Sequence, residues 1–284
     1  SRHIKTLEHE LRAELFTRNG RGMVLTPAGQ MLLERTGSLV LQIEQVRDDI
    51  QSMSGAPSGR VVLGLVPTVS CVLSTRFARR VIEELPDVSL CIVESYGGHL
   101  VEWLHRDQMD LALIYGPSVD LHLSVQTLGR DDIVAVGPMG SDLAERKEVG
   151  IEWLSEQALV LPSHSHGLRA LIEKAMVRRN LPLKVLIEAD SFRVLTDFVQ
   201  DGLGFTMLPH SAVRADADSG RLEIARIKPA LTRELILASS VERQPSIATI
   251  AISTLIREEI QRLAQEGLWD IRMAQGDPDI PSVT

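Results

Sequence analysis

Five basic residues crowd the start of the chain: Arg2, Lys5, Arg12, Arg18 and Arg21, against Glu8, Glu10 and Glu14. Residues 1–22 therefore carry +2 and the remainder −10 of a chain whose formal net charge is −8. A guanidinium takes the O6 and N7 edge of guanine bidentately, and an ammonium neutralises phosphate. A locally basic end on an acidic body fits a DNA-contacting head better than general polyanion binding. On spacing alone, a solvated basic helix face accounts for Arg2, His3 and Lys5 equally well.

Other chemistry fails on spacing. His164-Ser165-His166 has the residue types of a metal or nucleophile cluster, but no acidic partner lies at a telling distance along the chain. No GxSxG elbow, HExxH pair or P-loop occurs, and Gly202-Leu203-Gly204 is too short for a dinucleotide fingerprint. Neither a catalytic constellation, a metal site nor a cofactor motif is expected. The two cysteines, Cys71 and Cys91, lack a pairing pattern and read as small buried hydrophobes rather than reactive thiols. With 44% hydrophobic and 24% charged residues, the 284-residue chain has globular composition and room for about two domains. No apolar run reaches the ~18 residues of a membrane span, and no secretory pattern opens the chain. A cytoplasmic protein with no membrane partner is expected.

The elements that position these residues emerge from periodicity. Ile4, Leu7 and Leu11 share one helical face. Asn19-Gly20 between short apolar runs signals a hairpin, so Arg18 and Arg21 stand at the tip of a wing. Thr26-Pro27 then opens a long helix, hydroxyl at N-cap and proline at N1. Along it Leu32, Thr36, Leu39, Ile43, Val46, Ile50 and Met53 alternate steps of four and three, and only Thr36 breaks the apolar seam. A stripe ~40 Å long asks for a partner helix. One long core helix is the alternative, but the Gly/Pro/Ser-rich residues 54–59 detach this helix from the rest of the chain.

Beyond Gly59, strands alternate with helices, which predicts a mainly parallel, helix-covered sheet in two α/β lobes of roughly 70–100 residues. Strands are expected at 60–66, 89–94, 110–115, 133–138, 158–162, 184–189, 204–208 and 234–239, and helices at 70–84, 97–106, 167–179, 191–201 and 246–265. A small ligand belongs at the carboxyl ends of parallel strands, where helix amino termini present free N–H groups. The candidates there are Pro67, Thr68, Val69 and Ser70, then Ser95, Tyr96 and Gly97, then Tyr115 and Gly116. The second lobe offers Ser163, His164 and Ser165, with Phe192 and Thr206. For each, capping or turn-making is the alternative role.

The first 29 residues resemble the second half of the winged helix-turn-helix of LysR-type transcriptional regulators. The shared positions are Ser1-Arg2, Leu7-Glu8, Glu10-Leu11, Leu15-Phe16, Arg18, Gly20-Arg21-Gly22 and Leu25-Thr26-Pro27-Ala28-Gly29. Pro86-Asp87-Val88, Asp110–Ile114, Asp201–Gly204 and Leu208-Pro209 extend the resemblance over nearly the whole chain. Residues 110–128 and 159–175 further resemble the nitrogen-assimilation-control branch. Two helices that precede this point in the family are absent, so the chain is expected to be amino-terminally truncated and, as given, poorly able to dock on DNA.

The resemblance implies an α/β, two-lobed, periplasmic-binding-protein-like effector module, preceded by a long linker helix and a partial winged helix-turn-helix. The expected division is residues 1–26 for the DNA-binding part, 27–56 for the linker and dimerisation helix, 57–270 for the effector domain and 271–284 for a flexible tail. Lobe 1 would take 58–131 and 235–266, and lobe 2 would take 132–234. Arg2, His3 and Lys5 would be the surviving recognition-helix contacts to double-stranded DNA, with Arg18 and Arg21 on the wing. A small-molecule effector would bind between the lobes, and linker helix and regulatory domain would assemble a homodimer or homotetramer. The rival is a solute-binding module without DNA binding, which should show a signal peptide and no heptad helix.

Overall fold

The computed structural model describes residues 2–20, 22–52, 56–116 and 122–274. Helix α1 (Arg2–Leu11) leads into the hairpin of β1 (Phe16–Asn19) and β2 (Gly22–Leu25), and then into α2 (Pro27–Ser52). The α/β part opens with β3 (Gly59–Leu65), α3 (Pro67–Glu84), β4 (Val88–Glu94), α4 (Gly97–His105), β5 (Leu111–Gly116) and β6 (Leu123–Pro138). Next come β7 (Glu148–Gly150), α5 (Ile151–Glu156), β8 (Leu159–Leu161), α6 (Gly167–Val177), β9 (Val185–Glu188) and α7 (Phe192–Gln200). The chain continues through β10 (Thr206–Pro209), α8 (His210–Asp218), β11 (Leu222–Ser240), α9 (Ile247–Gln265) and β12 (Ile271–Met273).

The main sheet runs β10-β6-β11-β5-β3-β4. It is mixed, not mainly parallel: β3 pairs in parallel with β4 and β5, whereas β11 is antiparallel to both β5 and β6. Two separate cores result. Val61, Leu63, Phe77, Leu113, Leu128, Leu235 and Ile256 belong to one, and Ile133, Val136, Leu161, Ile172, Val199, Met207 and Leu231 to the other. Among the described residues only β6 and β11 contribute to both cores, so they carry the chain between the lobes. Their strands run Leu123–Pro138 and Leu222–Ser240, far beyond the expected 133–138 and 234–239. The expected ends fall where charged residues interrupt the apolar runs: Arg130, Asp131 and Asp132 on one strand, Arg233 and Glu234 on the other.

Three further departures have simple causes. Helix α8 has no apolar period, with only Ser211, Val213 and Asp216 buried, and the sequence pattern misses it. Ile271 is buried and its strand pairs with β6, so order continues into the stretch expected as tail; residues 275–284 lie outside the described residues. Cys71 is exposed and Cys91 half-buried, contrary to the buried reading of both.

Candidate functional site

The amino-terminal unit is held by a few short bonds. Glu8 Oε1 accepts from the backbone N–H of Leu15 (2.8 Å) and Phe16 (3.3 Å), tying α1 to the hairpin. The Thr26 hydroxyl donates to the Glu14 carbonyl (2.5 Å) and accepts from Gly29 N (3.0 Å), capping α2. A Cβ on Gly29 would stand 2.1 Å from the Leu15 carbonyl oxygen, so only glycine lets α2 pass this close. Helix α2 is thus fixed rigidly to the wing. Arg2, Lys5, Thr6 and His9 line one open face of α1, at i, i+3, i+4 and i+7. His3 is exposed outside that set, Arg18 is exposed on β1, and Arg21 lies outside the described residues.

Along α2 the expected seam stays uncovered by its own chain. Leu32 and Thr36 are half-covered, but Leu39, Ile43, Val46 and Ile50 are 53%, 71%, 59% and 63% exposed. Met53 lies outside the described residues.

The second site lies between the lobes. Helices α3 and α4 begin with Val66 and Tyr96 at N-cap, neither of which supplies a side-chain cap; α3 opens on Pro67, which has no N–H, and its Val69 N–H bonds the Val66 carbonyl (2.9 Å). The Tyr96 hydroxyl reaches across and donates to the Asp190 carbonyl at 2.5 Å, and its ring meets the His166 ring edge-on at 5.3 Å. His166 Nδ1 in turn accepts from Leu168 N (3.2 Å), capping α6. Behind this contact the Tyr115 hydroxyl donates to Asp131 Oδ2 at 2.7 Å, and the Thr68 hydroxyl bears on the same phenol. The Arg233 guanidinium lies over the Tyr115 ring, 3.6 Å from its centroid.

Burial governs the electrostatics here. Desolvation and then the Asp131 charge push the Tyr115 phenol well above its usual range. Desolvation also raises the Asp131 carboxyl, against the lowering effect of the Tyr115 hydroxyl and the Arg233 charge. His166 is depressed by burial and then by the Arg233 charge, which favours the neutral ring. Asp190 is lowered because the Ser163 hydroxyl and N–H donate to it, the latter at 2.9 Å.

The structure therefore brings Thr68, Tyr96 and Tyr115 together with Asp190 and the Ser163 loop. Other candidates take different places. Val69 is fully buried in the first core, Ser70 bonds Ser74 (3.0 Å), and Ser95 bonds His99 (3.3 Å). Pro67 and Gly97 are the first residues of α3 and α4, and Gly116 pairs with Glu234 at the end of β5. Ser165 bonds Ser163 (3.0 Å), whereas His164 joins the exposed ion pairs of Glu173 (2.8 Å) and Glu188 (3.6 Å). Phe192 packs against the second core, and Thr206 is buried on β10 with an unpartnered hydroxyl. Sequence reasoning misses Asp131, His166 and Arg233. For the two charged residues a signal is present, since acidic and basic residues cut into two apolar strand runs.

Among the described residues no helix is long and apolar enough to cross a membrane, and no cluster of potential metal ligands occurs. Residues 54–261 match the family model described as LysR substrate binding domain, and residues 1–30 match the bacterial regulatory helix-turn-helix protein, lysR family. The HTH-type transcriptional regulator BbuR of Bordetella bronchiseptica is 29% identical over 95% of this chain and 83% of its own length. The nitrogen assimilation regulatory protein nac of Escherichia coli is 31% identical over 76% of this chain and 70% of its own. These identities differ by two points, so they establish the family far more firmly than the nitrogen-assimilation branch. A Corynebacterium glutamicum OxyR cysteine mutant superposes with TM-score 0.68 at 22% identity, covering 93% of this chain and 83% of that one. The effector binding domain of QuiR, in complex with shikimate, gives TM-score 0.65 at 16% identity over 72% of this chain and 98% of that one. The chain belongs to the LysR family of transcriptional regulators.

Proposed function

We propose that this LysR-type regulator reads double-stranded DNA through Arg2, His3 and Lys5 of α1 and Arg18 and Arg21 of the wing. It works as a cytoplasmic homo-oligomer joined along α2, with residues 1–26, 27–56 and 57–270 as head, linker and effector domain. The carrying observation is that one chain joins a helix-turn-helix match over residues 1–30 to a LysR substrate-binding match over residues 54–261. The capped and glycine-locked start of α2 supports transmission, because a change in helix geometry carries the wing with it.

The effector is a small molecule received between the lobes, beside Thr68, Tyr96, Tyr115 and the Ser163 loop. The QuiR domain with its shikimate supports this reading by fold. Effector binding acts by favouring one arrangement of the two heads over another. The test is DNA binding by the protein across salt concentrations. Removing Arg18 by Arg18→Ala should weaken binding across operator sequences and flatten the log–log salt slope by about 1. A salt-insensitive affinity, or a slope unmoved by this variant, would remove the wing from the interface.

A further inference from the structure

The stretch over which β6 and β11 cross between the lobes is short. On β6 the first core ends at Leu128 and the second begins at Ile133; on β11 the same boundaries fall at Leu235 and Leu231. Between them Arg130 pairs in register with Glu234, Asp131 with Arg233, and Asp132 with Thr232. Along the far edge of β11, β7 stops at Lys228 and β5 takes over only at Glu234. Two strands alone make a strongly twisted ribbon of marginal stability, which turns readily about its own length. Left to β6 and β11, this crossing would be a loose hinge.

The segment that follows α9 lies on that hinge. On the β6 edge away from β11, β10 covers Ile133–Val136 and β12 covers Gly129–Asp131. The Ala274 N–H carries the pairing one residue further, to the Leu128 carbonyl at 3.0 Å. β12 thus adds a third strand over the residues between the two cores. The fit is close. A Cβ on Gly129 would stand 2.7 Å from the Arg272 carbonyl oxygen and 2.8 Å from Ile271 Cγ1, so a glycine is needed for β12 to lie here.

Both lobes grip this segment. Trp269 and Ile271 are buried in the first core, and the Trp269 indole N–H bears on the Asp131 carboxyl. Arg272 donates to Asp132 Oδ1 at 2.5 Å, at the second-lobe end of the crossing. Helix α8 belongs to the second lobe through the buried Val213, and its Arg214 donates to the Gly267 carbonyl. His210, at the start of the same helix, brings Nδ1 within 3.6 Å of the Asp270 carboxylate.

We propose that residues 267–274 form a splint across the interlobe hinge. The segment is rooted in the first lobe, tied to the second, and hydrogen-bonded along the strand that joins them. It holds the lobes in the arrangement seen here and limits how far one turns against the other. This holds independently of the interlobe ligand reading above, because none of the splint contacts involves a ligand.

The test measures the distance between spin labels on the two lobes, at Gln261→Cys on α9 and Arg178→Cys after α6, both exposed positions. The full chain also carries Cys71→Ser and Cys91→Ser, and labelled chains are diluted in unlabelled ones so that each distance is within one chain. The parent should give one narrow distance. Arg214→Ala combined with Arg272→Ala cuts the exposed ties and leaves both cores whole, whereas Gly129→Ala pushes β12 off the hinge. Each should broaden the distance distribution, Gly129→Ala the more. The amides of residues 232–234, which β12 does not pair with, should exchange roughly tenfold faster in both, the scale of one or two lost cross-strand contacts. Should Gly129→Ala fail to fold, the double variant carries the test. Ile252→Val trims the first core far along α9 from the splint and should change neither reading. Unchanged distance and exchange in the double variant and Gly129→Ala would overturn the splint. Equal broadening in Ile252→Val would overturn it too, since the effect would then be a general loosening of the first lobe.

Discussion

Helices α2 and α9 are the two longest helices among the described residues, and both carry an apolar stripe, but the chain treats them in opposite ways. In α9, Ala248, Ile252, Leu255, Ile256, Ile260 and Leu263 are all buried against α3 and the first lobe's sheet. The ionic contacts there are also complete: Arg80 of α3 meets Glu84, Glu258 and Glu259, and Arg76 meets Glu259 and Glu266. In α2, Leu39, Ile43, Val46 and Ile50 are all more than half exposed. Four aliphatic side chains left in water on one seam forfeit about 1.5–3 kcal/mol each relative to burial. The same periodic pattern therefore has two meanings. One stripe builds a domain, and the other is left exposed on a single chain, as the proposed pairing requires.

The strongest way to break this contrast is to damage each stripe and read both stability and mass. Ile43→Asp removes two aliphatic contacts per symmetric dimer and adds two charges to the seam, so the dimer should weaken by about 3–6 kcal/mol. The unfolding of the α/β module should hardly move. Ile256→Ala should do the reverse, costing about 3 kcal/mol of stability through the cavity it leaves, with linker pairing intact. Light scattering reads the first and urea unfolding the second. A monomer whose stability falls with Ile43→Asp would show that α2 packs on its own chain, and the proposed pairing would fail.

How far these meanings can be read in advance differs along the chain. The α2 seam, the Thr26-Pro27 start and the Asn19-Gly20 hairpin depend on neighbours within a few residues, and pattern alone locates them. The crossing strands do not. Pattern breaks β6 before Ile133 and β11 before Glu234, because Asp131 and Arg233 read as solvent-facing ends of strands. They are in fact buried mid-strand charges. A local rule fails at the place where the two lobes join, on the two strands that carry the chain between them. Within the cleft, Tyr96 and Tyr115 are accessible to strand-end reasoning. His166 is passed over for its neighbour His164, since register in a loop is not a periodic property.

A second, smaller test uses acidity. Glu84 and Glu266 are both held below the ordinary carboxylate range, chiefly by hydrogen bonds from Arg80 and Arg76 respectively. Because their folded-state pKa values are depressed, their contribution is present above the unfolded value near 4.5 and is lost as pH falls through the folded values. The α3–α9 seat should therefore loosen progressively below pH 4.5. Arg76→Gln should remove part of that acid limb by lowering stability at pH 7 while leaving it unchanged in acid. The loss is small for the exposed Glu266 pair and is added to by the contact Arg76 makes with the buried Glu259. An acid limb identical in the variant would show that this ion pair does not couple α9 to α3.

The finest test sits at the single flaw in the α2 stripe. Thr36 occupies a seam position, is half-covered, and turns its hydroxyl back onto the Leu32 carbonyl at 2.7 Å. That internal bond lets a polar residue sit on an apolar seam without an unpaired donor, but it offers a partner helix only a methyl group. Thr36→Leu should extend the apolar contact by one layer, and dimerisation should tighten by up to about 1 kcal/mol, roughly fivefold. The gain should appear in dimer dissociation alone, with module unfolding unchanged. If the substitution weakens the dimer instead, the two helices meet in a register that leaves Thr36 outside the seam. The pairing would then run through Leu39, Ile43, Val46 and Ile50 only.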